Sequence, residues 1–186
     1  MMSDFKLHTL DSAPEGSKPL LENSVKSFGM VPNLHAVMAS SPELLLGYQT
    51  LHGLAQQTSF DADELTVVWQ TINVEHECHY CVPAHTMIAH SMKVGADVID
   101  ALRDETPLPS AKLEALRNMT LSVVRDRGVV NAESLDAFYS AGFEQKNLLE
   151  IILILSQKVM SNYVNHVAET PTDAPFQEFA WQKKQA

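Results

Sequence analysis

From Ser41 onward the apolar side chains recur every three or four residues, and capping residues, glycine and proline punctuate the stretches they define. That period belongs to helices with one buried face, and no segment alternates apolar and polar residues between turn signals as a strand would. Ser41 is placed as an N-cap with Pro42 at the first helical position, and Leu45, Tyr48, Leu51, His52 and Ala55 carry a stripe to about Gln57. Asp61 to Glu64 give the next helix an acidic first turn, and Leu65, Val68, Trp69 and Ile72 take it to about Glu77. Helices are expected over Tyr80 to Met92 and Asp97 to Arg103, from Ser110 to Asp126, and from Asn131 to Ser140.

The last long stripe starts near Glu144 and runs through Leu148, Leu149, Ile152, Leu155, Val159, Met160, Tyr163, Val164 and Val167, which predicts a helix buried in the domain or at a subunit interface. Residues 1–32 hold Pro14, Gly16, Pro19, Gly29 and Pro32; they read as an N-terminal arm with a short helix near Leu20 to Phe28, able to lie on a neighbouring subunit. A short helix follows from Leu34 to Ala39. The fold class is therefore all-α, and 186 residues at 45% hydrophobic content supply one core and one domain, 1–186.

The longest apolar run, Ile151 to Leu155, is far short of the ~20 residues that span a bilayer, and Met1 to Lys6 has no signal-peptide pattern. A cytoplasmic protein without a membrane partner is expected. Thirteen basic against 23 acidic residues, net −10, with no basic cluster, argue against nucleic acid.

The chemistry concentrates in Glu75-His76-Glu77-Cys78-His79-Tyr80-Cys81-Val82-Pro83-Ala84-His85, which holds both cysteines of the chain. In a reducing compartment such a pair points to redox chemistry or metal binding before a structural bridge. Pro83 has no amide hydrogen, so a helix that contains it must hold it in the first turn, which puts Cys81 at a helix N-terminus. Free amides and the helix dipole there favour a thiolate. His85 lies one turn on, offset by about 40°, placed to take the thiol proton or pair with the thiolate. Cys78 can reach Cys81 for a disulfide but stands roughly 10 Å from His85 along a helical path. Cys81 is thus the attacking sulfur and Cys78 the resolving one.

A zinc site would need Cys78, Cys81 and His85 with His76, His79 or His90, but His90 falls on the far side of the helix and no distant ligand pair stands out. No metal or cofactor is expected. His8, His35 and His52 read as lone surface or packed residues, whereas His166, at the end of Asn162-Tyr163-Val164-Asn165-His166, is a further site candidate.

Glu75 to His85, as E-x-x-C-H-Y-C-x-x-x-H, resembles the alkyl hydroperoxidase D (AhpD)-like branch of the carboxymuconolactone decarboxylase family. Phe28 to Leu34 followed by Ser41 to Leu45, and Ser161 to His166 through Thr170-Pro171, resemble segments of its peroxidase-related members. The resemblance implies an AhpD-like helical bundle, a homo-oligomer, and thiol-dependent reduction of a peroxide, with a thioredoxin-like or lipoyl-bearing dithiol as reductant. It places the peroxidatic, resolving and histidine roles on Cys81, Cys78 and His85. The family's glutamate twelve residues before the first cysteine is here Thr66, which cannot take up a proton as a carboxylate does, and Tyr80 stands where the characterised hydroperoxidase has histidine. Glu75 or Glu64 is then expected to replace the missing carboxylate, Glu75 being nearer in sequence. The alternatives are a redox-sensing or electron-passing dithiol protein with little turnover, suggested by Thr66, and decarboxylase-like lactone chemistry, which rests on fold analogy alone.

Overall fold

The computed structural model describes residues 4–184; Met1 to Ser3, with which the arm and the Met1 to Lys6 stretch begin, lie outside the described residues with Gln185 and Ala186. The described residues form helices α1 (Lys18–Phe28), α2 (Asn33–Met38), α3 (Pro42–Ala55), α4 (Ala62–Glu75), α5 (Cys81–Ser91), α6 (Ala96–Asp104), α7 (Ala111–Arg125), α8 (Ala132–Ser140) and α9 (Gln145–Ala168), with short 3-10 turns at Glu15–Ser17 and Ala174–Phe179 and no strand. The fold is all-α in a single domain. None of these helices is long and apolar enough to cross a membrane.

Local sequence sets the helix boundaries. Ser41, Ser110 and Asn131 each accept from the backbone amide three residues on, and Asp61 with Glu64 forms a reciprocal capping box. At the end of α4 the amide of Glu77 bonds the Val74 carbonyl and that of Cys78 bonds the Asn73 carbonyl. This Schellman closure puts Glu77 at φ 52°, a left-handed conformation usually given to glycine, and it aims the chain from α4 directly into the cysteine loop.

Two apolar clusters fill the interior. One joins α4, α6, α7, α8 and the first half of α9 around Trp69, Phe138, Ile151 and Ile154. The other gathers Ala13, Leu21, Leu34, Leu45, Phe176 and both cysteines. The arm packs on its own chain: Ser17 Oγ donates to the Ala39 carbonyl at 2.7 Å and the His8 amide to that of Ala36 at 3.2 Å. The C-terminal segment crosses α5, where Arg103 donates to Thr86 and to the carbonyls of Phe179 and Ala180.

The second half of α9 departs from the expected stripe. Gln157, Lys158, Ser161, Asn162 and Asn165 are fully buried, while Tyr163 and Val167 point outward, as do Leu149 and Ile152 nearer the start. There the apolar period is split: Met160 and Val164 pack against the second cluster, Tyr163 and Val167 face outward, and the innermost face is given over to hydrogen bonds around the cysteines.

Candidate active site

Cys81 is the first residue of α5 and Pro83 sits in its first turn, so the proline removes no helical bond. The Cys81 amide donates to Cys78 Sγ at 3.2 Å, and the Val82 amide to the Cys78 carbonyl at 3.1 Å. Both cysteines are buried free thiols, 3.3 Å apart. From α4, Gln70 donates to the Val82 carbonyl and Thr86, and Asn73 to the Cys81 carbonyl at 3.4 Å. Asn162 in turn donates to Asn73 at 3.1 Å, which ties α9 to the same loop.

The face of α9 opposite α5 meets the sulfurs. Asn165 Nδ2 donates to Cys81 Sγ at 3.2 Å and stands 3.9 Å from Cys78 Sγ. One and a half to two turns earlier, Lys158 is wholly excluded from solvent, with its ammonium 3.0 Å from His85 Nε2. Burial alone would push the Cys81 thiol up, yet a hydrogen bond from Cys78, the Lys158 charge, and the neighbouring Ser161 and Asn165 side chains outweigh it and hold the thiol well below its usual range. The Cys78 thiol is raised, first by that same hydrogen bond to Cys81 and then by burial. These opposite shifts make Cys81 the more acidic of the two thiols and leave the proton on Cys78.

His85 is also buried, and burial followed by the Lys158 charge lowers its pKa well below 6.5, so the ring is neutral. Its ring lies 4.9 Å from that of Trp69, whose indole donates to Gln157 at 3.1 Å. Cys81, His85 and Lys158 together line a small cleft of ≈ 70 Å³ walled by apolar and aromatic groups, among them Leu34, Tyr48, Met87 and Phe176. Tyr80, between the two cysteines, donates to Asp173 of the C-terminal segment and accepts from the Leu34 amide at 3.3 Å. Asp173 also accepts from the Asn33 amide at 3.2 Å, so the segment that carries Phe176 is fastened over the cleft.

The structure thus brings Cys78, Cys81 and His85 together. It does not bring Glu75 to them: both its carboxylate oxygens accept from Arg125 at 2.8 Å, and it lines a separate cleft with Thr71, Leu102 and Arg117. The Arg125 hydrogen bonds, against partial desolvation, lower its pKa. Glu64 is held by the α4 cap and by Lys112 at 2.6 Å. Thr66 is buried on α4, and the group that His85 finds is Lys158 on α9.

The zinc candidates diverge. His76 bonds Asn162, His79 bonds the Thr170 carbonyl, and His90 packs against the Phe179 ring. His166 is exposed and takes no part in the cleft, whereas its neighbours Asn162 and Asn165 face inward. Of the histidines read as lone, His8 is half-buried and its ring bonds the Ser12 carbonyl at 2.9 Å, whereas His35 and His52 line the cysteine cleft, and His52 stacks on Trp69 at 5.7 Å. Apolar periodicity does not reveal Lys158, Ser161 and Asn165, which are polar; the available signal is their own spacing of three and four residues.

No family model matches the chain, and no curated protein matches it. Solved structures do. An uncharacterized peroxidase-related protein from Ralstonia eutropha JMP134, described as an alkylhydroperoxidase AhpD core, superposes with a TM-score of 0.80 at 18% identity over 95% of each chain. A peroxidase-related protein from Silicibacter sp. TM1040 does so with a TM-score of 0.74 at 17% identity over 93% of this chain and 94% of its own. The debrominase Bmp8, in complex with 2,3,4-tribromopyrrole, gives 0.76 at 16% identity over 96% of both. The chain has the AhpD-like helical fold.

Proposed function

We propose that this protein is a thiol-dependent peroxidase acting on small apolar organic hydroperoxides through a Cys78–Cys81 dithiol/disulfide cycle. The observation that carries the reading is the Cys81 sulfur, 3.3 Å from Cys78 and hydrogen-bonded by Asn165 at 3.2 Å, on a residue that lines an apolar cleft with His85 and Lys158. The thiolate attacks the outer peroxide oxygen, the O–O bond breaks, and Cys81 becomes a sulfenic acid as the alkoxide leaves and takes up a proton. Cys78, already 3.3 Å away, attacks the oxidised sulfur, and its proton leaves with the hydroxyl as water. A dithiol reductant, thioredoxin-like or lipoyl-bearing, then returns the pair to its reduced state. The peroxidase-related proteins that share the fold support the reaction class.

The test is turnover of tert-butyl hydroperoxide with dithiothreitol as reductant, with thiols counted before and after. Consumption that accompanies Cys78–Cys81 disulfide formation and stops in Cys81→Ser is expected. Thiols left unchanged, or oxidation undiminished in Cys81→Ser, would overturn the reading. Reversible disulfide formation at the rate of a free thiol would instead favour the redox-sensing role.

One observation favours a second reading: a debrominase has this fold, and the cleft here has aromatic walls suited to a haloaromatic ring. The Cys81 thiolate would take bromine as Cys81–S–Br while the ring carbon gains a proton, and Cys78 would then expel bromide. Bromide release from a bromopyrrole, with no peroxide consumption, would establish it in place of the first.

A further inference from the structure

A buried ammonium needs a counter-charge or acceptors. Among the described residues no carboxylate pairs with Lys158, and its side chain has one hydrogen-bond partner, His85 Nε2. An ammonium only donates, so Nε2 must accept and the proton of the neutral ring sits on Nδ1. With its one lone pair so engaged, His85 is not placed to take the Cys81 proton, one of the two roles its spacing suggested. Its Nδ1–H is buried and without a partner, and an unmade donor of this kind costs about 1–3 kcal/mol. The same side chain lines a cleft that Cys81 and Lys158 line with it.

We propose that Lys158 and His85 form a proton relay that ends on the oxygen leaving the peroxide. His85 is the catalytic acid and Lys158 the positioning residue that fixes its tautomer and supplies the proton. The proposal rests on the peroxidase reading. As the thiolate takes the outer oxygen, Nδ1–H passes its proton to the alkoxide and Nε2 receives one from the ammonium. The balance is Cys81–S⁻ plus ROOH plus Lys158–NH₃⁺ giving Cys81–SOH plus ROH plus Lys158–NH₂. The buried charges cancel in the step, and His85 stays neutral with its tautomer reversed. When the dithiol later reduces the disulfide, the proton released as Cys81 returns to thiolate restores the ammonium. The other titratable groups facing this pair are His52 and Tyr48 on α3 and Cys78, and none is a carboxylate that could compete for the proton.

Single-turnover oxidation of wild type and His85→Asn by two peroxides separates the roles. With tert-butyl hydroperoxide, whose alkoxide needs a proton, the variant should slow by about 100-fold. With a peroxycarboxylic acid, whose carboxylate leaves without one, it should slow only slightly, and the thiolate absorbance of Cys81 should titrate as in wild type. Equal slowing with both peroxides, or a Cys81 thiol pushed up in His85→Asn, overturns the relay and leaves the peroxidase reading intact. A wild type inert to both peroxides overturns that reading and the relay with it. Should His85→Asn not fold, a pH indicator decides in the wild type. The relay requires no proton uptake from solvent while the thiolate absorbance disappears, and one proton per Cys81 taken up in that phase would contradict it.

Discussion

Lys158 and Cys81 explain each other at the level of single residues. Neither charge is stable alone in a dry site, and removing one partner of a buried pair typically costs 3–5 kcal/mol, because the other is stranded. Base rates place lysine on the surface, which is why Lys158 could not be read as buried from its type. His35 shows the reverse case, a buried base kept neutral. Its ring is bonded to Ser24 at 2.8 Å, and burial, then the His52 charge, lowers its pKa from 6.5 to about 4. Between those values the unfolded chain binds a proton that the folded chain refuses, so stability falls as pH falls through that window. From about pH 7 to about pH 5 the loss from this one group is ~2 kcal/mol. His35→Gln should flatten that part of the pH dependence of the urea midpoint, and an unchanged slope would contradict the assignment.

At the scale of elements, helix starts were legible and the inner face of α9 was not. Ser41, Asp61, Ser110 and Asn131 act locally, each bonding its own first turn, so sequence alone places them. Burial of a polar stripe depends on partners distant in the chain, here Asn73 and the cysteines on one side and His85 on the other. The α4–α5 junction combines the two cases: Pro83 fixed where α5 begins, but nothing in the letters showed that Glu77 closes α4 in a left-handed conformation. That conformation costs an L-residue roughly 1–2 kcal/mol, of which a glycine's extra freedom in the unfolded chain returns a part. Glu77→Gly should therefore raise stability by about 0.5–1 kcal/mol in thermal unfolding, since its 3.8 Å pair with Lys183 is exposed and weak. A loss of stability would show that the loop does not rely on this turn.

Over the whole molecule, one apolar cluster is a conventional helical core and the other is built around the two cysteines, closed by the arm on one side and the C-terminal segment on the other. Phe176 is the point of closure, edge-on to Tyr80 at 5.8 Å. Phe176→Ala should cost about 3 kcal/mol and speed alkylation of Cys81 by a small thiol reagent; lost stability without faster alkylation would mean that the segment does not gate the cleft. The all-α class and the cysteine motif could be read along the chain. The enclosure could not, because it joins Asp173 to Asn33 and Tyr80 across most of the sequence. What it encloses is Cys81 and Lys158 lining one cleft, and titration of the thiolate absorbance in wild type and Lys158→Met tests most directly whether the two carry opposite charges. One thiol in the wild type should ionise well below the ~8.5 of a free cysteine, that signal should vanish in Cys81→Ser, and Lys158→Met should move it upward. Two thiols that ionise at or above the free-cysteine value, or a midpoint unmoved by Lys158→Met, would contradict it.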